Sequence, residues 1–171
     1  MRYLIAAAII AAAAPAAAGP NLITNGTFAD NDFRAQTGWA VSSSAYFFNA
    51  NGYHEAAQAL GTLTQTFADA VGGVLTLTFD FGSTAGYQYV SFDGFTVPGS
   101  LVLGATGLTN YSFVLGAGTG SDTLVFKGQN DPSYNTLQNV SVTQTPEPGS
   151  LAILGLGAGV LGFAARRRQA A

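Results

Sequence analysis

The 171-residue chain has no cysteine. That excludes a disulfide framework, a thiolate metal site and a cysteine nucleophile. A single histidine, His54, excludes the multi-histidine cages that hold zinc. Charged residues make up 9% of the chain, against about a quarter in an ordinary soluble domain. Cations are scarcest in the middle. Arg2, Arg166, Arg167 and Arg168 stand near the ends, which leaves Arg34 and Lys127 against eight acids between Gly19 and Thr145. Such a body lacks the clustered positive charge that binds nucleic acid. No window of about ten residues carries a helical period, and no repeat of about 20–50 residues is visible.

What is present falls into three parts. Residues 1–18 have the order of a secretory signal peptide: Arg2, an apolar stretch from Leu4 to Ala14, then Ala16-Ala17-Ala18 as a small-x-small cleavage site. Signal peptidase is expected to cut after Ala18 and leave Gly19 as the new terminus. At the other end, residues 146–171 hold Pro146-Glu147-Pro148-Gly149, an unbroken apolar and small-residue stretch to Ala165, and Arg166 to Arg168. Lipid forces backbone hydrogen bonds inward and tolerates the glycines of this stretch, so a short transmembrane helix with an arginine stop is expected.

Those residues, in that order, resemble the PEP-CTERM protein-sorting tail of exported proteins in Gram-negative bacteria that make extracellular polysaccharide. The resemblance implies handling by exosortase, a membrane-embedded transpeptidase-like enzyme acting near Pro146-Glu147-Pro148, and transient anchoring in the inner membrane. It also implies a destination at the cell surface, in or near exopolysaccharide or biofilm. A plain single-pass anchor is the simpler alternative.

Residues 19–145 consist of short β-prone runs punctuated by Gly, Asn, Asp and Ser. In Val74–Phe81, Leu75, Leu77, Phe79 and Phe81 fall on one face, with Thr76, Thr78 and Asp80 on the other. Strands are also expected at Leu60–Phe67, Tyr87–Phe92, Phe95–Leu103, Asn110–Leu115, Thr123–Lys127 and Leu137–Thr143, with shorter ones at Leu22–Phe28 and Ala45–Phe48. This spacing predicts an all-β fold, an antiparallel β-sandwich. Asn21-Leu-Ile-Thr-Asn-Gly-Thr-Phe28 followed by Gly38-Trp39, and Asn130–Tyr134 followed by Leu137–Val142, resemble the opening and closing of galactose-binding-like jelly-roll modules.

Chemistry-bearing groups are few. His54 and Glu55 are chain neighbours and would face opposite ways on a strand, so they make no dyad there; a loop histidine after Asn51-Gly52 is expected. Asp80, Asp93, Asp122 and Asp131 are the candidates for a carboxylate pair acting on glycans, a role that requires a set separation in a cleft. Asp30, Asn31 and Asp32, with Asn25 and Asn139, offer the hard oxygens that suit structural calcium. Among the tyrosines, Tyr134 beside Asn130 and Asp131, and Tyr53 beside Asn51 and His54, are the candidate glycan contacts. An aromatic ring stacks on the apolar face of a sugar while neighbouring amides and acids take its hydroxyls. Tyr46, Tyr87, Tyr89 and Tyr111 have no assigned face at this level. The sequons at Asn25, Asn110 and Asn139 carry little weight beside a bacterial sorting tail. The expected role is a non-catalytic exported surface or matrix protein, with a glycan-active enzyme and a ligand-free structural module as alternatives.

Overall fold

The computed structural model describes residues 19–145 except Asn31, Ser44, Ala57 and Pro132. Eleven strands form within it: β1 (Ala40–Ser42), β2 (Tyr46–Asn49), β3 (Gly52–Glu55), β4 (Gly61–Ala68), β5 (Val74–Ser83), β6 (Tyr87–Phe92), β7 (Phe95–Thr96), β8 (Val102–Leu103), β9 (Thr106–Ala117), β10 (Ser121–Gln129) and β11 (Asn135–Thr145). They pair antiparallel into two sheets. One has six strands in the order β1-β4-β10-β6-β7, with β8 also on β6; the other has five, in the order β2-β3-β11-β5-β9. There is no helix among the described residues.

The alternation of β5 carries through to three dimensions. Leu75, Leu77, Phe79 and Phe81 are each at most 1% exposed, while Thr76, Thr78 and Asp80 lie half-buried on the outer face. Facing them, β10 contributes Leu124 and Phe126 and β4 contributes Leu63 and Phe67. The rings of Phe79 and Phe126 meet edge to face at 5.0 Å across the core. On β11 a register shift lies between Gln138 and Ser141, and Asn139 turns to a φ of 52°. The extra residue resets the alternation, so Leu137 and Val140 both point inward although three positions apart.

Two expected strands differ from the structure. Leu22–Phe28 is a looped turn, with an isolated bridge from Asn21 to Thr143 and single bonds from Leu22 to Val142, Val140 to Gly26 and Thr24 to the Gln65 side chain in place of a ladder. Asn25 and Phe28 have φ values of 50° and 55°, which a regular strand without a bulge does not accommodate. A Cβ on Gly26 would sit 1.9 Å from the Val140 carbonyl oxygen, so the turn closes against the bulge only because that residue is glycine. Phe95–Leu103 is broken into β7 and β8, because Pro98-Gly99 turns the chain and buries Ser100 against Val90. Conversely, the segment after Asn51-Gly52 is strand β3, not loop. Tyr53 and Glu55 face inward there and His54 faces out.

Inward placement leaves Glu55 in an unusual position. It is 3% exposed, its Oε1 has no hydrogen-bond partner, and it lies so close to Gly61 that a Cβ there would clash. Burial raises its carboxyl from 4.5 to about 7. The folded state then holds a proton that the unfolded chain releases earlier. This group contributes no penalty below about 4.5, costs stability progressively as pH rises to about 7, and adds nothing further above that. Urea titrations across that window should show the Glu55→Gln variant gaining on the wild type as pH rises. An unchanged difference between the two at all pH values would contradict the assignment.

Candidate functional site

The outer face of the six-stranded sheet carries an ordered aromatic surface. Alternation along β6 sends Gln88 and Val90 into the core and Tyr87 and Tyr89 outward. The two rings lie nearly parallel, 13° apart with centroids 6.5 Å from each other. On the adjacent β10, Gln129 is in register with Tyr87 and Lys127 with Tyr89. The Tyr87 hydroxyl donates to Gln129 Oε1 at 3.2 Å, and the Lys127 ammonium lies 5.8 Å from the Tyr89 ring centroid. Gln129 in turn donates to the Gln58 carbonyl. On the other side Leu103 of β8, 68% exposed, continues the apolar strip in register with Tyr87. The result is a braced, flat pair of rings flanked by a cation, an amide and an aliphatic edge. The signal for it was the Tyr87-Gln-Tyr-Val pattern, which sequence reasoning left without a face.

The residues singled out from sequence are dispersed. Tyr53 is 4% exposed and packs its ring against Phe28, Phe48 and Tyr46, so it is a core residue and offers no ring face to a sugar. The reason is its phase: two residues before the inward Glu55, it shares that face. Asn130 is also buried, at 1% exposure, and its Nδ2 donates to Ser83 Oγ, Thr84 Oγ1 and Asn135 Oδ1. Asp131 and Tyr134 are exposed. Of the processing residues, Gly19 donates its backbone N–H to the Gln144 carbonyl at 3.0 Å. Ala16, Ala18, Pro146, Glu147, Pro148, Gly149, Arg166, Arg167 and Arg168 lie outside the described residues, as do the expected signal peptide and membrane helix.

The outer face of the five-stranded sheet is organised differently. His54 is pinned from both ring nitrogens, Nδ1 to Thr136 Oγ1 at 3.1 Å and Nε2 to Asn49 Oδ1 at 3.0 Å. Burial lowers its pKa, so it is neutral at physiological pH. Asp80 accepts from Asn110 Nδ2 at 2.8 Å and Asn139 Nδ2 at 2.7 Å. Both oxygens are thereby engaged within the sheet.

Of the carboxylate-pair candidates, Asp93 and Asp122 come together, with Asp69 beside Asp122: burial and the neighbouring Asp122 raise the Asp93 and Asp69 carboxyls, while against burial the bonds from Thr119, Asp93 and Asp69 lower Asp122. All three are tied to backbone, Asp93 Oδ1 accepting the Thr123 N–H, Asp69 Oδ1 the Gly120 N–H and Asp122 the Thr119 N–H; Asp80 is bound as above, and Asp131 is exposed on a loop. A cavity of about 580 Å³ beside the β2–β3 turn does include Asp30, Asp32, Asn49 and Asn139 in its lining. Yet hydrogen bonds from Thr37 lower the Asp30 carboxyl, the opposite of what a general acid requires.

The calcium candidates have partners of their own. Asp30 Oδ2 caps the Thr37 N–H, and Asp32 Oδ1 caps those of Arg34 and Ala35. Gln36 Nε2 donates to the backbone carbonyls of Asp30 and Asp32, filling with an amide the place where a cation would draw those oxygens together. Asn139 is committed to Asp80 instead. Among the described residues there is no group of three His, Cys, Asp or Glu side chains arranged to hold a metal.

Comparison with known proteins agrees with the two-sheet geometry. The PEP-CTERM protein-sorting motif matches residues 144–168. This motif indicates an exported protein that is sorted via the membrane. No curated protein matches the chain in sequence. Among solved structures, TmCBM61 in complex with β-1,4-galactotriose is similar at 12% identity, over 72% of this chain and 98% of that one, with a TM-score of 0.56. A CBM4 structure is similar at 14% identity, over 72% and 99%, with a TM-score of 0.55. The enzymatically active domain of tailspike protein 4 from bacteriophage CBA120 matches at 16% identity and a TM-score of 0.54, over 72% of this chain; the chain spans only 21% of that one. At these identities the likeness establishes the fold: an antiparallel β-sandwich of the jelly-roll type seen in carbohydrate-binding modules.

If Gln36 rather than a metal braces the Asp30–Thr37 loop, Gln36→Ala should lower stability by about 1–3 kcal/mol. Chelation with EDTA should leave the wild-type melting temperature unchanged. A melting temperature that falls on chelation and recovers with calcium would reverse this reading.

Proposed function

We propose that residues 19–145 form a non-catalytic glycan-binding module of an exported surface protein. The observation that carries this reading is the Tyr87–Tyr89 pair. Two parallel rings on the open face of a sheet contribute nothing to the core, and their spacing follows the strand repeat of about 3.3 Å per residue. An extended polysaccharide can lay successive sugar rings over them, with Lys127 and Gln129 at hand for hydroxyls or acidic substituents. An open platform admits the middle of a polymer, where a closed pocket would require a chain end. The β-1,4-galactotriose bound to TmCBM61 makes a neutral β-linked galactan the first ligand to try.

The sorting tail supplies the setting. In this reading signal peptidase cuts after Ala18. The 149–165 segment holds the chain in the inner membrane through the Arg166–Arg168 stop. Exosortase then acts near Pro146-Glu147-Pro148-Gly149. The module thus reaches the surface of a Gram-negative cell, where extracellular polysaccharide or biofilm matrix is its partner.

Affinity electrophoresis through gels containing β-1,4-galactan, xylan, mannan or secreted bacterial polysaccharide tests the binding. At least one polymer should retard the wild type, and the Tyr87→Ala/Tyr89→Ala double variant should lose about tenfold or more in affinity. Equal mobility of the two proteins in every gel would refute the platform. For the tail, mass spectrometry of the mature protein from an exosortase-positive host should show residues 150–171 removed. Their retention would leave a plain anchor.

A further inference from the structure

We infer that the opposite sheet carries a second, independent sugar site, which would make the module bivalent. This rests on the glycan-binding reading but not on the tyrosine platform. The site is a groove of about 210 Å³ on the outer face of the five-stranded sheet, at the end where β5 leaves for β6 and β11 begins. Its lining includes Gly82, Thr84, Thr106, Leu108, Tyr134 and Thr136.

Each part has a role that folding alone does not explain. Gly82 has no Cβ, and one placed there would lie 3.1 Å from the Leu108 backbone nitrogen, so the glycine lets the β9 chain close against the groove floor and sets Leu108 at its side. Leu108 and Tyr134 are 54% and 45% exposed and stand as apolar walls. The Tyr134 ring is fixed from behind by an edge-to-face contact with His54 at 5.1 Å and another with Phe47 at 6.0 Å. Phe47 in turn stacks on His54 at 4.6 Å. An exposed tyrosine held by two rings presents its free face without a large loss of side-chain freedom on binding. Hydroxyls of Thr84, Thr106 and Thr136 supply donors and acceptors around the apolar walls. Behind the rim, Asn130 holds Ser83 and Thr84 through its Nδ2, while its Oδ1 is buried with no partner. Asn130 is therefore a positioning residue for the rim.

This combination fits a single pyranose ring: one aromatic wall, an aliphatic wall, a ring of hydroxyls, and no charged side chain in the lining. A chain end or a single-sugar branch suits it, where the platform on the other sheet suits the middle of a chain. Since the outer faces of the two sheets point away from each other, one module could hold two polysaccharide strands together.

The test is chemical-shift mapping of the purified protein titrated with methyl glycosides of glucose, galactose, mannose and rhamnose, and separately with β-1,4-galactotriose. A monosaccharide is expected to move the resonances of Leu108, Tyr134 and Thr136. The Tyr87→Ala/Tyr89→Ala variant should retain that response. Tyr134→Ala, and independently Leu108→Ser, should weaken it about tenfold while leaving the platform response intact. If the groove resonances stay still with every sugar while those of Tyr87 and Tyr89 respond, the second site is wrong and the first survives. Loss of the groove response in the double tyrosine variant would mean one continuous site and would also overturn independence. If neither face responds to any sugar, both readings fall.

Discussion

Two-residue alternation is the constraint on which everything else in this molecule depends. Each strand has one face committed to the space between the sheets, and the core is filled mainly from those positions: Leu75, Leu77, Phe79 and Phe81 from β5, Leu124 and Phe126 from β10, Leu63 and Phe67 from β4, with Phe28 and Trp39 added from loops. Burial of such side chains is worth about 1.5–3 kcal/mol each, which makes a one-residue slip of register prohibitive. An aromatic residue on the outward set is then surplus to folding. Tyr87 and Tyr89 belong to that set, Tyr134 stands exposed just before β11, and Tyr53 is buried.

The same constraint explains what was legible beforehand. The β5 pattern was unambiguous because every inward residue is large and apolar and every outward one is polar. The tail was legible because its features follow one another in a fixed order. Tyr53 was misplaced because Gly52-Tyr-His-Glu55 is too short to show a period, and because Asn51-Gly52 looked like the start of a loop when it is the turn of the β2–β3 hairpin. Leu22–Phe28 alternates well enough to pass for a strand. What breaks it is the pair of left-handed residues and the approach of Gly26 to the β11 bulge, a contact between segments more than a hundred residues apart. Tyr87-Gln-Tyr-Val-Ser-Phe92 has bulky residues in both phases, so its outward set became known only once Gln88 and Val90 were seen in the core.

Several chemically suggestive groups resolve into architecture. Asp80 joins β9 and the β11 bulge to β5 through two asparagines, His54 joins β2 and β11 across β3, and Gln36 ties the Asp30–Thr37 loop with an amide. Each satisfies polar atoms that the sandwich would otherwise leave stranded. The histidine, Asp80 and the acids of the Asp30–Thr37 loop are thereby occupied. The uncommitted surface is aromatic and hydroxyl-bearing, and that chemistry suits sugars more than it suits bond cleavage.

Hydroxyl-radical footprinting of the tyrosines, with and without polysaccharide, tests this division most directly. Tyr87 and Tyr89 should be reactive in the free protein and protected by a polysaccharide that binds it, while Tyr53 should be inert in both states. A reactive Tyr53, or a bound polysaccharide that leaves Tyr87 and Tyr89 as reactive as before, would contradict the account.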